Sequence, residues 1–412
     1  MKRLVPVVAL LCVIALVVLP LSAATQDAVR KAEKPSAGLE LALVATQITG
    51  IAISPLLGVS AVGLYQWFQA STPEQKARLP WFANPLVWGV GFLLVAAAAA
   101  KDVLGATLPP GWKQPLDVLD AVENKFSGLV ATGAVIPVLV AAAAKFMGGG
   151  TASAALDLNL GGLAMIHLGA IDFSWLLTIL MVPLAMAVHA AVWLASHTIN
   201  VLILLSPWGG VDAALKGART ALLGSVAGLA FIDPVVGATL SVIIILFSFL
   251  IAGWSFRLTT FGSVFCWDFF TRRRKRFKVL ADGNTVFLGR EVAGVPIRTL
   301  GKLHQADDQK LTFKFRPWLV LAPREIEVPR EEIVFGCGVI CPEVLGRVPG
   351  TDRTETLLLL PPRYVGHEKL FARTYHVERM TDVGLRKAWS WFKEMLGFGS
   401  KRDQSAAVTI AT

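Results

Sequence analysis

The sequence predicts an all-α transmembrane helical bundle of about five crossings, which follows a signal peptide and precedes a small β-rich cytoplasmic domain with a C-terminal helix. Hydrophobic residues make up 54% of the 412 residues and charged residues only 17%, with a mean hydropathy of +0.60. About a quarter of the residues of a soluble protein are charged. Long apolar runs fill the chain up to residue 270, and short β-type runs follow them.

The net charge of +10 is concentrated after the apolar region. Residues 271–412 carry 25 of the 39 basic and 16 of the 29 acidic residues, whereas residues 25–270 carry 12 basic and 13 acidic residues. A basic segment beside a membrane attracts anionic lipid headgroups. We therefore expect the lipid bilayer and its anionic headgroups as partners and no nucleic acid. A homo-oligomer is also compatible with the sequence.

Residues 1–24 have the three parts of a secretory signal peptide. Lys2 and Arg3 precede the apolar run 4–18, and small residues that suit cleavage end at Ala24. Cleavage there would leave the mature N-terminus in the periplasm. Retention of the segment as a signal anchor is the alternative.

Five later segments are apolar enough to be predicted as crossings, which need about 20 residues each. Two of them are expected to contain a helix break, at Ser54-Pro55 and at Asp233-Pro234, because proline lacks a backbone donor and disfavours helix at the preceding residue. Asp233 is also the expected cap of the helix that follows it. The predicted crossings are 38–68, 85–100, 128–145, 173–205 and 234–254.

Charge predicts the orientation, since short cytoplasmic loops carry an excess of Lys and Arg. Five crossings from an outside N-terminus put Lys76, Arg78, Lys145 and the basic cluster 272–276 on the inside. This arrangement predicts a multi-pass protein of the bacterial inner membrane, with domain 271–399 in the cytoplasm and a disordered end at 400–412.

The membrane domain, residues 25–270, contains a predicted internal repeat of units 84–147 and 173–256. Five residues between Gly128 and Ile136 recur 96 positions later between Gly224 and Ile232. Pro137 and Pro234 follow the two copies after one inserted residue. A parallel rather than an inverted repeat is expected.

Five short motifs stand out in the apolar region. They are Gly50-Ile-Ala-Ile-Ser-Pro-Leu-Leu-Gly58, Asn84-Pro-Leu-Val, Lys101-Asp102, Asp117-x-x-Asp120-Ala-Val and Val188-His189-Ala-Ala. Together they resemble a bacterial multi-pass membrane family that is known only as domain of unknown function 4126. The resemblance covers about residues 41–256 and implies a membrane location but no activity, and the C-terminal tail lies outside it.

The tail changes to β-type runs that turn signals separate. Two helical patterns follow at 367–375 and 382–396. A small sheet or barrel closed by a C-terminal helix is similar in outline to pleckstrin-homology-like modules. The predicted strands are 285–290, 295–303, 310–321, 325–328, 333–336 and 355–360.

Ionisable and polar groups in or near membrane spans are costly and therefore suggest function. Helical spacing puts His189 and His197 on one side of a long apolar segment, and Asp117 and Asp120 on an acidic stripe. For each group the alternative is structural: a capped helix end, a solvated face, or a histidine bonded to a neighbouring helix. The candidate polar pathway is Lys101, Asp102, Asp117, Asp120, His189, His197 and Asn200.

Basic residues directly after the last predicted crossing are candidates for lipid headgroup contact. They are Arg272, Arg273, Arg274, Lys275 and Arg276. No catalytic motif occurs, so no enzyme activity and no cofactor are predicted. Of the four cysteines only Cys337 and Cys341 lie in a polar region, and this spacing alone does not predict a metal site.

These features favour an integral inner-membrane protein of transporter-like or channel-like character for a small solute or ion, with a cytoplasmic regulatory domain. The alternative is a non-catalytic membrane anchor or scaffold, whose tail binds anionic lipid or a protein partner.

Overall fold

The computed structural model describes residues 37–105, 114–148, 174–206, 209–271, 276–305, 310–329, 333–338, 341–347, 354–377 and 379–383. The α-helices within these residues are α1 (Ala37–Ile53), α2 (Pro55–Gln69), α3 (Pro73–Ala77), α4 (Pro85–Gly105), α5 (Gln114–Gly148), α6 (Ser174–Leu205), α7 (Gly209–Ile232), α8 (Pro234–Phe270) and α9 (Glu368–Thr374).

Eight strands form one sheet in the order β4-β3-β2-β1-β7-β6-β5-β8. Neighbouring strands are antiparallel except β5 and β8, which run parallel. The strands are β1 (Asn284–Leu288), β2 (Leu300–Gln305), β3 (Leu311–Phe315), β4 (Arg324–Val328), β5 (Val334–Gly338), β6 (Glu343–Arg347), β7 (Thr354–Leu359) and β8 (Arg379–Val383).

The chain divides into two compact units. The helical unit comprises Met1–Lys113, Val122–Asn200 and Gly210–Ala252. The sheet unit comprises Gln114–Ala121, Val201–Gly209 and Gly253–Thr412. The sheet unit therefore includes the second half of α8.

The predicted bundle of five crossings is wrong. In the part of the chain that the structure describes, two helices are long and apolar enough to cross a membrane, Val182–Leu205 and Pro234–Phe270. Ala42–Ile53 and Pro85–Ala98 are apolar helices of 10–17 residues. The predicted crossing 38–68 is divided into α1 and α2, and the 17 residues of α1 reach about 26 Å at 1.5 Å per residue, which is shorter than the roughly 30 Å hydrocarbon core. The prediction expected a helix break at Ser54-Pro55 but still counted 38–68 as one crossing.

The two long apolar helices differ in what covers them. The apolar part of Val182–Leu205 is 67% buried inside the protein, whereas that of Pro234–Phe270 is 17% buried. A core helix of any folded protein can be apolar and buried, but a long apolar helix with few buried residues and with exposed side chains such as Leu246 and Leu250 is suited to a lipid environment. Helix α8 thus supports association with a membrane.

Two proline bends, at Ser54-Pro55 and Asp233-Pro234, have the same geometry. A Cβ atom on Gly58 would lie 2.6 Å from the Cα atom of Ile51, and one on Gly237 would lie 2.5 Å from the Cα atom of Ala230. Residues seven apart in a straight helix are about 10.5 Å apart along its axis. The chain therefore bends sharply between α1 and α2 and between α7 and α8. The glycine three residues after each proline makes room for the bend.

The two bends match each other in a different register from the repeat that the sequence predicted. The predicted repeat aligns Pro137 with Pro234, but Pro137 lies inside the continuous helix α5, whereas Pro234 begins α8. That register does not pair equivalent structures. The equivalent segments are Ser-Pro-Leu-Leu-Gly at 54–58 and Asp-Pro-Val-Val-Gly at 233–237.

Strand β1 is covered on both faces of the sheet. Val286 and Leu288 belong to a core that also contains Phe371 of α9. Phe287 points to the opposite face, because side chains alternate along a strand. There its ring contacts Phe261 of α8, with 4.9 Å between ring centroids. Helices α8 and α9 thus cover opposite faces of β1.

Two buried tyrosines hold the end of β1. The Tyr375 hydroxyl donates to the carbonyl oxygen of Leu303 at 3.0 Å and accepts from Nδ2 of Asn284 at 2.8 Å. Burial raises the pKa of Tyr375 and of Tyr364. Both hydroxyls therefore keep their protons at neutral pH, so Tyr375 can remain a donor.

Six of the eight strands coincide with β-type runs in the tail, whereas β6 and β8 were not predicted. Strand β8 includes the first two positions of the helix predicted at 382–396. The rest of that predicted helix, the predicted signal peptide and the predicted disordered end at 400–412 lie outside the described residues.

Candidate functional site

The bend at Ser54-Pro55 leaves a backbone acceptor for other helices to use. In a regular helix the Ile53 carbonyl would accept from an N–H one turn later, but the proline disrupts this turn. Instead, Oγ of Ser196 donates to it at 2.5 Å and Nε of Arg219 donates to it at 3.0 Å. The bend therefore joins α1 to α6 and α7.

Arg219 makes a second bond within this group. Its Nη1 atom donates to Oδ1 of Asn200 at 2.8 Å. Asn200 is 9% exposed, and a charged group in such surroundings needs several hydrogen bonds to offset its lost hydration. The guanidinium thus has acceptors on both α1 and α6.

A buried histidine lies on the same helix. His197 is 0% exposed, and its Nδ1 is 2.9 Å from Oδ1 of Asn124 on α5. Its ring stacks on Trp193, with centroids 5.2 Å apart and planes 10° apart. Because Oδ1 of Asn124 can only accept, the bond assigns the proton to Nδ1 and leaves Nε2 as an acceptor.

Gly128 allows α5 and α6 to approach each other. A Cβ atom at Gly128 would lie 2.2 Å from Nε1 of Trp193, so only glycine fits beside the indole. His189, one turn before Trp193, hydrogen-bonds to the backbone of Gly128. Glycine at such positions permits close helix packing.

Three ring nitrogens on successive turns of α6 have no hydrogen-bond partner among the described residues. They are Nδ1 of His189, Nε1 of Trp193 and Nε2 of His197. An unpaired buried polar group costs about 1–3 kcal/mol. Nε2 of His197 is an acceptor that a small donating molecule would satisfy, whereas Nε1 of Trp193 faces Gly128 closely. We call Asn124, His189, Trp193, Ser196, His197, Asn200 and Arg219 the polar cluster.

The predicted pathway residues are brought together only in part. His189, His197 and Asn200 belong to the polar cluster. Asp120 is half-buried in α5 and has partners of its own. Lys101, Asp102 and Asp117 lie in α4 and α5, but their side chains are outside the described residues.

The second predicted helix break has a structural role in its own bend. Asp233 is buried, and its Oδ1 accepts from the N–H of Val235 at 2.8 Å. This is the bond that a capping carboxylate makes at the start of a helix. Asp233 therefore stabilises the first turn of α8.

Sequence reasoning did not include Asn124, Arg219 or the Ile53 carbonyl among the site residues. Arg219 looked like an ordinary charge on the weakly amphipathic helix α7. Its one signal was its position among apolar residues on the side of α7 that also carries Leu222 and Leu223. No sequence pattern marks a freed carbonyl except the proline two positions later.

The predicted headgroup residues are mostly outside the described residues. Arg272, Arg273, Arg274 and Lys275 fall in the gap after α8, and Arg276 is exposed. In the part of the chain that was searched, no group of three or more His, Cys, Asp or Glu side chains could hold a metal ion. Burial, followed by the charges of Asp268 and Glu343, raises the pKa of Cys341, so its thiol is unreactive.

Comparison with known proteins gives no relative: no family model, no curated protein and no solved structure matches the chain.

Proposed function

We propose that this chain is a membrane protein that binds a small polar solute or ion at the polar cluster and moves or senses it, with the sheet unit as its docking or regulatory part. The observation that carries the proposal is the pair of stacked rings with unpaired nitrogens, Nε1 of Trp193 and Nε2 of His197. Buried polar atoms without partners are rare in folded proteins. A bound water, ion or small polar molecule would satisfy such atoms.

The charges around the rings favour one class of solute. The positive charges of Lys125 and Arg219 both act on His197. A positive field in surroundings of low polarity repels cations and favours neutral polar molecules or anions. We therefore propose a neutral or anionic solute.

Flux through proteoliposomes tests the proposal with two probes, chloride and glycerol. The full chain is expected to accelerate at least one of them over empty liposomes. Replacing His197 with alanine should then lower that rate about tenfold, which corresponds to the loss of about one hydrogen bond in the site. The measurement is the initial rate from an entrapped dye or, for glycerol, from light scattering.

The matched control is His376→Ala, because His376 is an exposed histidine of the sheet unit and its loss should leave the rate unchanged. Circular dichroism should show equal helix content in both variants. A wild-type rate equal to that of empty liposomes for every probe would contradict transport, and equal rates for wild type and His197→Ala would contradict the site.

For location we propose the bacterial inner membrane, with the sheet unit in the cytoplasm. The support is the basic run that directly follows α8, since Lys and Arg accumulate on the cytoplasmic side. A phosphatase reporter fused after Thr412 that is active in the periplasm would contradict this orientation. The resemblance of residues 41–256 to domain of unknown function 4126 is part of the same proposal.

A second function, a membrane anchor or scaffold, is favoured by the connection between α8 and the sheet. Nε of Arg257 donates to the Ile297 carbonyl at 3.0 Å, and Nε of Arg363 donates to Oδ2 of Asp268 at 2.8 Å. A helix held at two points about 17 Å apart along its axis would present the sheet rigidly. An anchor predicts no flux for any probe.

A further inference from the structure

The turn between β3 and β4 carries an exposed apolar tip. Trp318, Leu319, Val320 and Leu321 are 49%, 44%, 78% and 51% exposed. Four consecutive large apolar side chains rarely face water in a soluble domain. Trp318 and Leu319 also have positive φ angles of 53° and 63°, which residues other than glycine adopt at a cost and mostly at functional sites.

A cavity of about 180 Å³ lies at the base of this tip. Among the described residues that line it, three are arginines and none is acidic. Arginine is suited to phosphate because its planar guanidinium can make paired, charge-assisted hydrogen bonds. The three are Arg257 of α8, Arg298 before β2 and Arg316 after β3.

The cavity lies at a defined level of α8. The ring of Trp318 contacts that of Phe256, with 4.9 Å between centroids, and Gly253 also lines the cavity. Residues 234–254 form an apolar stretch of about 31 Å at 1.5 Å per residue, which matches the roughly 30 Å hydrocarbon core. Gly253 to Arg257 is therefore where α8 would enter the headgroup layer.

We propose that this cavity binds the phosphate of an anionic phospholipid while the apolar tip enters the same leaflet. Arg316, the exposed arginine of the three, meets the headgroup, and Arg257 and Arg298 add positive charge to the cavity. Trp318 occupies the interface, where tryptophan is enriched in membrane proteins. This site differs from the basic cluster 272–276, which follows the end of α8 at Phe270, about 24 Å of helix beyond Trp254. The proposal does not rest on the polar cluster and survives if no solute is moved.

Lipid binding by the full chain in a neutral detergent tests the headgroup site, because micelles of this kind have no anionic surface. The probe is a fluorescent phosphatidylglycerol, compared with the same label on phosphatidylcholine. Phosphatidylglycerol is expected to bind more tightly, and Arg316→Gln should weaken its binding about fivefold. Arg316 is exposed, so this variant should fold.

Arg324→Gln is the matched control, since Arg324 is an exposed arginine of the same hairpin that does not line the cavity. It should leave the affinity unchanged. Equal affinity for both lipids, or equal losses in both variants, would overturn the proposal. Full displacement of the lipid by millimolar inorganic phosphate would also overturn it, because the site would then bind a free anion.

The insertion of the apolar tip into a bilayer is tested by measuring its depth in lipid nanodiscs. A polarity-sensitive dye attached to Val320→Cys should emit at shorter wavelength than the same dye on Leu370→Cys, which is an exposed position on α9. Lipids with a shallow doxyl group should quench only the dye at position 320. The native Cys266 and Cys341 are buried, and wild-type protein treated with the dye gives the background. Equal emission and equal quenching by aqueous iodide at both positions would overturn the insertion.

Discussion

Replacing Arg363 with methionine is expected to destabilise the sheet unit by about 3–5 kcal/mol, the usual cost of leaving one charge of a buried ion pair without its partner. Asp268 of α8 is buried, with its side chain 1% exposed, and the Arg363 side chain is 11% exposed. Oδ2 of Asp268 accepts from Nε of Arg363 at 2.8 Å and from the Arg363 N–H at 3.2 Å. In the variant, Oδ2 of Asp268 would keep only the longer hydrogen bond from the backbone N–H of residue 363.

Hydrogen exchange of the full chain measures this loss. Amide protection in β1 and β7 should fall by about two to three and a half orders of magnitude, since each 1.4 kcal/mol is tenfold. Arg373→Met, a change at an exposed arginine of α9, should alter stability by less than about 0.5 kcal/mol. The double variant Asp268→Leu with Arg363→Met should regain much of the protection, because no unpaired charge stays buried. A double variant as unstable as the single one would contradict the ion-pair explanation.

Replacing Gly58 with alanine is expected to open the first proline bend and to weaken the polar cluster. The added Cβ would lie 2.6 Å from the Cα atom of Ile51 and 2.7 Å from the carbonyl oxygen of Gly50. Backbone atoms cannot rotate away as a side chain can, so the bend itself must change. We expect destabilisation of about 3 kcal/mol, at the upper end of the usual range for overpacking. The Ile53 carbonyl would then move away from Ser196 and Arg219.

Thermal unfolding in detergent and the flux assay together measure this effect. The matched control is Gly224→Ala in α7, where an added Cβ meets no atom within 4 Å. It should stabilise the helix by up to about 1 kcal/mol, because alanine favours helix over glycine. Gly237→Ala at the second bend should behave like Gly58→Ala, since its Cβ would meet the backbone of Ala230. Equal stability of Gly58→Ala and Gly224→Ala would contradict the tight bend.

The sequence was most informative where one local rule decides a local structure. Proline marks both bends, at Pro55 and Pro234, because it lacks a backbone donor wherever it stands. Alternating apolar residues mark strands such as β3, in which Leu311, Phe313 and Phe315 are buried. The sequence was least informative about membrane crossings, because apolar composition does not distinguish a helix that faces lipid from one that packs inside the protein.

Composition and pattern alone determined that the chain has a long, apolar first part with sharp helix breaks and a β-rich second part. Only the tertiary structure decided which groups meet: Arg219 with the Ile53 carbonyl, 166 positions apart, and Asn124 with His197, 73 positions apart. It also decided that α8 continues past its apolar stretch to pair Asp268 with Arg363. The physical reason is that hydrophobic patterns are periodic along a chain, whereas hydrogen-bond partners depend on how helices and strands pack and leave no periodic signal.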